Sequence, residues 1–341
     1  MKAAIYNPYL DTLGGGERYT VAFAKVLMDA SYKVDIEWPD AEIKKKLESR
    51  FGYKLTDLNF VKDIKRGDGY DVCFWLSDGS IPTLKARKNL LHFQFPFKDV
   101  GGRSLLNKMK LFRINKVVCN SNFTKTFIDK EYGIKSVVIY PPIDVKQTKS
   151  KRKENLIIYV GRFSRLTQLK RQDVLVDAFK ILVEKRVKNW KLILAGGVEV
   201  GVGSYLKQLV KKSKSYSIKI VESPDYKTLL NLYSKAKIFW SASGYGVDES
   251  KEPMKVEHFG MTVVEAMTHG CVPFAYSAGG HKEIIKNGEN GFLWIKKRDL
   301  IGKTLKLIKD REYLEKLSKS TRKDSRRYGY ERFETEVLGL L

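Results

Sequence analysis

Residues 257–265 of the chain read Glu-His-Phe-Gly-Met-Thr-Val-Val-Glu, which leaves seven residues between the acids Glu257 and Glu265. A loop rich in glycine, acidic residues and lysine, residues 244–255, precedes this stretch, and apolar residues at helical spacing follow Gly260. A helix that starts near Gly260 directs its first backbone N–H groups, which have no partner within the helix, at whatever binds there. The stretch therefore predicts an anion site at the start of a helix.

The second acid of the stretch lies about one turn into this expected helix. At that depth Glu265 is placed to accept hydrogen bonds from a ribose. The alternative is that the two acids belong to a solvated helix face, which is the usual origin of such a pair. The Phe-Gly pair between the acids and the motifs elsewhere in the chain favour a site.

The composition is that of a folded, two-domain chain. Its 341 residues are 43% hydrophobic, enough for two ordinary cores. No run of 18 apolar residues is present to span a bilayer, and strand-like residues 3–6 begin the chain without a signal-peptide pattern, so we expect a cytoplasmic protein. Cys73, Cys119 and Cys271 are far apart in apolar contexts, which predicts buried thiols. We expect no metal site, because no histidine or cysteine pair has metal-ligand spacing.

The net charge of +25 predicts attraction to anions. Nucleic acid, an anionic membrane surface and phosphorylated substrates are all compatible with such a charge. The excess of lysine and arginine is spread over both halves of the chain, and no nucleic-acid-binding module or aromatic stacking platform is recognisable. We therefore expect no nucleic-acid partner.

Short apolar segments alternate with amphipathic helical segments along the whole chain, which is typical of α/β proteins with parallel sheets. Prolines 141–142 and a polar, charged run at 147–153 indicate a linker between two such halves. We expect domains at 1–148 and 149–325 and a terminal helical segment at 326–341. The predicted strands are 2–7, 34–38, 71–76, 90–95, 116–119, 137–140, 155–160, 190–195, 218–221, 238–241 and 272–276, and the predicted helices include 17–30, 122–131 and 172–185.

The first strand of the second half ends in Gly161-Arg162, and Lys170 follows. Arginine binds a diphosphate through two parallel hydrogen bonds, and lysine binds it as a point charge. Two cations just beyond a strand end therefore predict a diphosphate site. Arg165 and Arg171 compete with Lys170 as the second cation, and plain surface charge is the alternative for all of them.

Two features of the first half lie after its first predicted strand and within its fourth. Gly14, Gly15 and Gly16 open a helix, and consecutive glycines let backbone approach a ligand closely. His92 lies in an aromatic strand that ends at Pro96. A flexible turn is the alternative for the glycines, and a buried core residue is the alternative for the histidine.

A basic amphipathic stretch occupies residues 104–116. Leu105, Leu106, Met109 and Phe112 recur at helical spacing among lysines and arginines. Such a stretch can lie on an anionic membrane. An ordinary core-facing helix with a solvated face explains the same pattern.

Together, the E-x7-E stretch, the G-R…K element and the glycine loop resemble retaining glycosyltransferases of family 4, over nearly the whole chain and in order. The resemblance implies the GT-B fold, with two Rossmann-like, doubly wound domains facing a cleft and a C-terminal helix that crosses back to the first domain. It implies retaining transfer of a sugar from a nucleotide diphosphate to a hydroxyl, with no bound metal or cofactor. Seven residues separate Arg162 from Lys170, more than the family usually has, so the match at Lys170 is the weaker one.

The resemblance also implies roles for individual residues of the second half. Arg162 and Lys170 stabilise the departing diphosphate, and Glu257 contacts the donor sugar and stabilises positive charge at its anomeric carbon. Glu265 holds the ribose. The remaining nucleotide contacts of this half come from Gly161, Gly260, Met261 and Thr262.

In the first half the resemblance implies that Gly15, Gly16 and His92 shape the side of the site near the transferred sugar and the acceptor. The segment 92–96 and the Tyr140-Pro141-Pro142 element favour a mannosyltransferase, so GDP-mannose is the expected donor, with UDP-linked sugars as the alternative. The expected acceptor is a glycan or a lipid-linked molecule, with peripheral contact to an anionic membrane. A GT-B sugar-nucleotide epimerase and a basic, non-enzymatic binder of nucleic acid or membrane are the alternative functions.

Overall fold

The computed structural model describes residues 1–145, 152–164 and 168–341. The chain divides into two compact units, the first comprising Met1–Pro142 and Tyr330–Leu341 and the second comprising Ile143–Gly329. The structure thus places the division after Pro142, whereas the boundary at 148 and most of the linker predicted from sequence lie outside the described residues. The terminal segment that joins the first unit begins at Tyr330 rather than at residue 326.

The first unit is built on a sheet of seven parallel strands in the described residues, in the order β3-β2-β1-β4-β5-β6-β7. Its strands are β1 (Lys2–Tyr6), β2 (Lys33–Glu37), β3 (Leu58–Val61), β4 (Val72–Leu76), β5 (Lys88–Phe93), β6 (Lys116–Cys119) and β7 (Val137–Val138). Its helices before the last segment are α1 (Gly15–Asp29), α2 (Ile43–Phe51), α3 (Leu105–Leu111) and α4 (Asn122–Tyr132).

The second unit is built on a sheet of six parallel strands in the described residues, in the order β10-β9-β8-β11-β12-β13. Its strands are β8 (Glu154–Val160), β9 (Lys191–Gly196), β10 (Ile218–Glu222), β11 (Ala236–Ser241), β12 (Val272–Tyr276) and β13 (Phe292–Trp294). Its helices are α5 (Gln172–Glu184), α6 (Gly203–Ser213), α7 (Tyr226–Lys235), α8 (Met261–Thr268), α9 (His281–Ile284), α10 (Lys297–Lys309) and α11 (Arg311–Ser325).

The last helix, α12 (Tyr330–Leu338), packs into the core of the first unit. Phe333 and Val337 are fully buried there, and the ring of Phe333 meets Tyr19 of α1 edge-on, with centroids 5.1 Å apart. Burial of a phenylalanine and a valine side chain contributes roughly 1.5–3 kcal/mol each. The terminal helix is therefore part of this core.

Each sheet reverses its strand order beside its own first strand, because β1 lies between β2 and β4 and β8 lies between β9 and β11. Ligands of doubly wound sheets bind outside the carboxyl ends of the strands at such a reversal. In the second unit the residues at that position are Gly161 and Arg162, directly after β8.

The α/β class with two parallel sheets, predicted from the alternating pattern, is confirmed. The predicted strands agree with the observed ones to within two residues at each end. The pattern did not predict α2, β3 or β13. The three cysteines are buried free thiols, and within the described residues no helix is long and apolar enough to cross a bilayer.

Candidate functional site

The start of α8 provides backbone N–H groups at one edge of the second unit. Gly260, the residue before the helix, has a φ of 113°, a conformation that side chains rarely adopt. A Cβ at this position would lie 3.2 Å from Ile284 and 3.3 Å from His281, so space also favours glycine. The N–H groups of Met261 and Thr262 come before the first hydrogen bond of the helix and have no intrahelical acceptor. The anion-binding geometry expected from the sequence is therefore present at Gly260.

Gly279 and Gly280 hold the loop that carries Glu257. The N–H of Gly280 donates to the carbonyl of Glu257 at 2.8 Å. A Cβ on Gly279 would lie 2.0 Å from that carbonyl oxygen, and a Cβ on Gly280 would lie 2.4 Å from the Cα of Phe259. These contacts leave no room for a side chain at either position, so the two glycines fix the path of residues 257–259.

Glu257 and Lys170 form a nearly buried ion pair, with 2.6 Å between Oε2 and Nζ. Their side chains are 14% and 10% exposed. The Lys170 ammonium also donates to Oε1 of Gln168 at 3.1 Å, and Nε2 of Gln168 lies 3.0 Å from Nδ1 of His258. The sequence analysis singled out both charged residues but did not foresee that they pair with each other.

The charges around Glu257 keep it ionised. Burial on its own raises the pKa of this carboxyl, but Lys170, His281 and His258 lower the pKa to about 2. Glu257 is therefore a carboxylate at neutral pH. Because its charge is balanced by Lys170, the two side chains act as a unit.

Gly161 and Arg162 follow β8 directly. A Cβ on Gly161 would lie 2.2 Å from Oη of Tyr159, and the carbonyl of Gly161 lies 2.0 Å from where a Cβ of Gly196 would be, so both positions require glycine. The side chain of Arg162 is exposed, and its carbonyl accepts a hydrogen bond from Nε2 of Gln172 at 2.9 Å.

Arg162 and Glu257 lie close enough to influence the same group. Burial raises the pKa of Tyr159 well above its usual range, Glu257 raises it further, and Arg162 lowers it. The cation after β8 and the carboxylate before α8 thus act on the same buried hydroxyl.

Arg171, an alternative second cation, is held by contacts of its own. Arg171 forms two hydrogen bonds with Asp173, at 3.1 and 3.0 Å, and a third with the carbonyl of Tyr245 at 3.0 Å. These three contacts commit its guanidinium to the start of α5. Arg165 lies outside the described residues. Of the two candidates that the structure describes, Lys170 is the one that contacts Glu257.

Glu265 lies one turn into α8, as expected, and is half-buried. Its Oε2 accepts a hydrogen bond from the hydroxyl of Tyr233 at 3.0 Å. A carboxylate that already binds a hydroxyl group has the chemistry required for a ribose. Tyr233 is a contact of this residue that the sequence analysis missed, since it is 32 positions away on α7.

In the first unit, Gly16 lies against the end of β5. A Cβ on Gly16 would be 2.1 Å from Oε1 of Gln94, whose Nε2 donates to the carbonyl of Gly16 at 3.2 Å. Gly15 is exposed at the start of α1. Gln94 was not singled out from the sequence, although it lies two residues beyond His92.

His92 lies in the core of the first unit. The residue is 0% exposed, stacks on Tyr19 with centroids 4.2 Å apart and on Phe74 at 5.2 Å, and its Nδ1 lies 3.1 Å from the carbonyl of Val118. Burial lowers the pKa of its imidazole to about 3, against a smaller opposite effect of the Val118 carbonyl. His92 is therefore a core residue in this structure, which favours the alternative that the sequence left open.

Comparison with known proteins adds the following. Residues 142–324 match the family model described as glycosyl transferases group 1. The GDP-Man:Man(3)GlcNAc(2)-PP-Dol alpha-1,2-mannosyltransferase of Dictyostelium discoideum is 26% identical over 65% of this chain and 46% of its own. The alpha-1,3/1,6-mannosyltransferase alg2 of Schizosaccharomyces pombe is 27% identical over 63% of this chain and 49% of its own. The chain spans about half the length of these curated relatives.

Solved structures share the fold over the full length. Anabaena HepE in complex with UDP aligns with a TM-score of 0.77 at 17% identity, covering 99% of both chains. The glycosyltransferase from Rickettsia africae aligns with a TM-score of 0.75 at 19% identity, covering 99% of this chain and 97% of its own. The fold is GT-B, as the resemblance implied.

The ion pair leads to a prediction about stability. Replacing Lys170 with methionine leaves the Glu257 carboxylate buried without its partner, and we expect the free energy of unfolding to fall by about 3–5 kcal/mol. The double variant Lys170→Met/Glu257→Gln should recover part of that loss. Because the pKa of Glu257 is lowered, the contribution of the pair is full above about pH 4.5 and is lost as the pH falls towards 2. Urea unfolding of the variants across that pH range measures both effects.

The matched control is Lys255→Met, which removes the exposed partner of Glu252. We expect a loss below about 1 kcal/mol there. Equal losses for Lys170→Met and Lys255→Met, or a double variant no more stable than Lys170→Met, would contradict the assignment of a buried pair.

Proposed function

The chain belongs to the group 1 glycosyl transferases, and from that premise we propose that it transfers a sugar from a nucleotide-diphosphate donor to a hydroxyl of an acceptor. The observation that carries this proposal is the convergence in the second unit of the N-terminus of α8, the ionised Glu257 with Lys170, and the exposed Arg162. The three features offer positive charge and backbone donors for a diphosphate, next to a carboxylate for the sugar.

The diphosphate of the donor binds at the start of α8 in this proposal. The N–H groups of Met261 and Thr262 and the helix dipole favour an anion there, and Arg162 contributes a charge that no carboxylate in the described residues neutralises. As the bond to the sugar breaks, negative charge grows on the diphosphate. Donors fixed in advance at that point stabilise the transition state more than the bound substrate.

Glu257 stabilises the positive charge that develops at the anomeric carbon. Its low pKa supports this role, because a carboxylate that stays ionised needs no proton loss on substrate binding. Lys170 keeps Glu257 ionised and oriented. In this proposal the ammonium of Lys170 is also the second cation, after Arg162, that binds the diphosphate.

Glu265 binds the ribose of the donor. Its hydrogen bond with Tyr233 keeps the carboxylate ordered in the absence of a nucleotide. Gly161 lets the main chain after β8 approach the nucleotide without a side chain in the way.

The transfer retains the anomeric configuration and uses no metal or cofactor. Retention is what the family 4 resemblance implies. In this proposal Arg162, Lys170 and the first amides of α8 take the place of a metal at the leaving group.

GDP-mannose is the proposed donor, because the two curated relatives named above are mannosyltransferases and one name specifies GDP-Man. UDP-linked sugars are the alternative, because HepE was crystallised with UDP and with UDP-glucose. The acceptor is a glycan or a lipid-linked glycan, as the dolichyl-diphosphate compound named for the Dictyostelium relative suggests.

A lipid-linked acceptor fits the surface of α3. Leu105, Leu106, Met109 and Phe112 are 76%, 61%, 65% and 94% exposed, and no residue of the helix is buried. Within residues 104–116, Leu111 and Ile114 pack against the core of the first unit, whereas these four side chains point away from it. Four exposed, large apolar side chains on one short helix form a patch of the kind that marks an interaction site.

The surroundings of this apolar patch favour an anionic membrane as its partner. Lys108, Arg113 and Lys116 are exposed beside it, and the helix from Leu105 to Leu111 contains no acidic residue. Apolar side chains enter the acyl region while the neighbouring cations contact lipid phosphates. The chain is peripheral on the membrane in this proposal.

A thermal-shift panel tests the donor. GDP, UDP, ADP, their common sugar conjugates and NAD are compared, since a ligand at about 100 times its Kd adds roughly 2.7 kcal/mol of stability. We expect a shift with GDP and GDP-mannose and none with NAD.

Two variants test the residues of the donor site. Glu265→Gln should weaken donor binding by roughly 1.5–3 kcal/mol, and Arg162→Ala should also weaken it. The exposed control Arg298→Ala should leave donor binding unchanged.

Turnover of that donor by EDTA-treated protein, with the anomeric configuration of the product read by NMR, tests the reaction itself. An inverted product or loss of turnover with EDTA would contradict the proposed chemistry. Release of an epimerised sugar without acceptor would favour the epimerase. A flat binding panel would favour a non-enzymatic binder.

Vesicle flotation tests the membrane contact. The protein should bind vesicles containing phosphatidylglycerol, bind phosphatidylcholine vesicles less, and dissociate at high salt. Leu106→Ser/Phe112→Ser should reduce binding at least about tenfold, because each large side chain contributes on the order of 1.5–3 kcal/mol when buried.

The matched control for flotation is Val200→Ser, since Val200 is 96% exposed in the second unit. If the α3 double variant and Val200→Ser reduced vesicle binding equally, α3 would not be the membrane contact. The same conclusion would follow if neither variant altered vesicle binding.

A further inference from the structure

A large cleft lies in the second unit, at the amino ends of strands β8, β9 and β11. It has a volume of about 1420 Å³ and is lined by the chain entering these strands, including Lys153, Lys191 and Lys237, and by one face of α11. The candidate donor site lies at the opposite, carboxyl ends of the same strands. Because β8 runs for seven residues between the two edges, roughly 20 Å separates them. We refer to it as the amino-edge cleft.

The lining of the amino-edge cleft is strongly basic. Nine lysine and arginine side chains line it, against two carboxylates, Glu154 and Glu315. Glu154 pairs at 3.1 Å with Lys235, which is outside the lining. In the described parts of the chain, none of the nine cations forms an ion pair.

Two pairs of these cations lie close enough to destabilise each other's charge. Burial and the nearby Arg322 lower the pKa of Lys153, whose Nζ donates to the carbonyls of Ala236 and His269, both at 2.6 Å. Burial and the nearby Arg311 lower the pKa of Lys237. An anion in the cleft would relieve this repulsion, since it attracts each cation.

Arg322 has unused hydrogen-bonding capacity. One terminal nitrogen contacts the carbonyl of His269 at 3.3 Å, and its Nε is buried without a partner in the described residues. A buried N–H without an acceptor is costly unless a ligand or water satisfies it. The Nε–Nη2 edge of Arg322 lies against Gly270, so the part of its guanidinium that lines the cleft is the part that could bind a phosphate oxygen.

We propose that the amino-edge cleft binds an anion that carries several phosphate groups. The volume and the number of cations exceed what one phosphate needs. Nucleic acid is disfavoured, because the aromatic residue of the lining is Trp190, which is 7% exposed and offers no face on which a base could stack. Binding here does not depend on the identity of the sugar donor.

Calorimetric titration with tripolyphosphate tests the proposal. Lys319→Glu/Lys323→Glu reverses two exposed charges of the cleft on α11 and should weaken binding at least tenfold, with a smaller dependence on salt. Lys306→Glu/Lys316→Glu makes the same charge change at exposed positions outside the cleft and should have a much smaller effect. Arg162→Ala should leave tripolyphosphate binding at the cleft intact, and the Lys319/Lys323 variant should keep its affinity for GDP.

Equal weakening by the two double variants would overturn the proposal, because it would show attraction by net charge alone. Loss of tripolyphosphate binding in Arg162→Ala would place the anion in the donor site and overturn it as well. Tighter binding of a single-stranded oligonucleotide than of tripolyphosphate, abolished by Lys319→Glu/Lys323→Glu, would replace the phosphate anion with nucleic acid. The cleft and donor-site results are separable, since each variant is tested against both ligands.

Discussion

The packing of three loops around Glu257 is the constraint on which the rest of the second unit's site depends. The loop after β8 supplies Lys170, the loop before α8 supplies Glu257, and the loop after β12 supplies Gly279 and Gly280. Main-chain bonds reinforce the side-chain pair, because Leu169 donates to the carbonyl of Lys255 at 3.0 Å and Gly280 donates to that of Glu257 at 2.8 Å. Once these loops are joined, Gly260 and the first amides of α8 have a fixed position beside the carboxylate.

This arrangement explains why the charged side chains of Glu257 and Lys170 can be retained in a nearly buried position. A buried carboxylate is unfavourable unless it is paired and hydrogen-bonded, and Lys170 meets that requirement for Glu257. Buried ion pairs often contribute little net stability relative to apolar residues of the same size. This pair keeps a carboxylate ionised at the edge of the sheet where ligands of doubly wound proteins bind.

The sequence was informative where one local pattern determines the structure. The apolar run after Gly260 predicted α8, and alternating segments predicted both sheets. It was uninformative where local signals are weak: β13 has three residues, and five of the nine residues of α2 are charged. The Lys170–Glu257 pair could not be predicted, because 87 positions separate its members. His92 shows the same limit, since its motif suggested a site whereas packing between Tyr19 and Phe74 makes it a core residue.

The most direct test of the account is whether a nucleotide diphosphate contacts the first amides of α8. The chain has six methionines, so labelling with [15N]methionine gives few amide signals, and Met261→Leu identifies that of Met261. We expect GDP, or UDP if the donor is UDP-linked, to shift the Met261 signal in a saturable manner with the affinity of the donor. Saturable nucleotide binding that leaves the Met261 signal unchanged would contradict the central claim that α8 forms the diphosphate site.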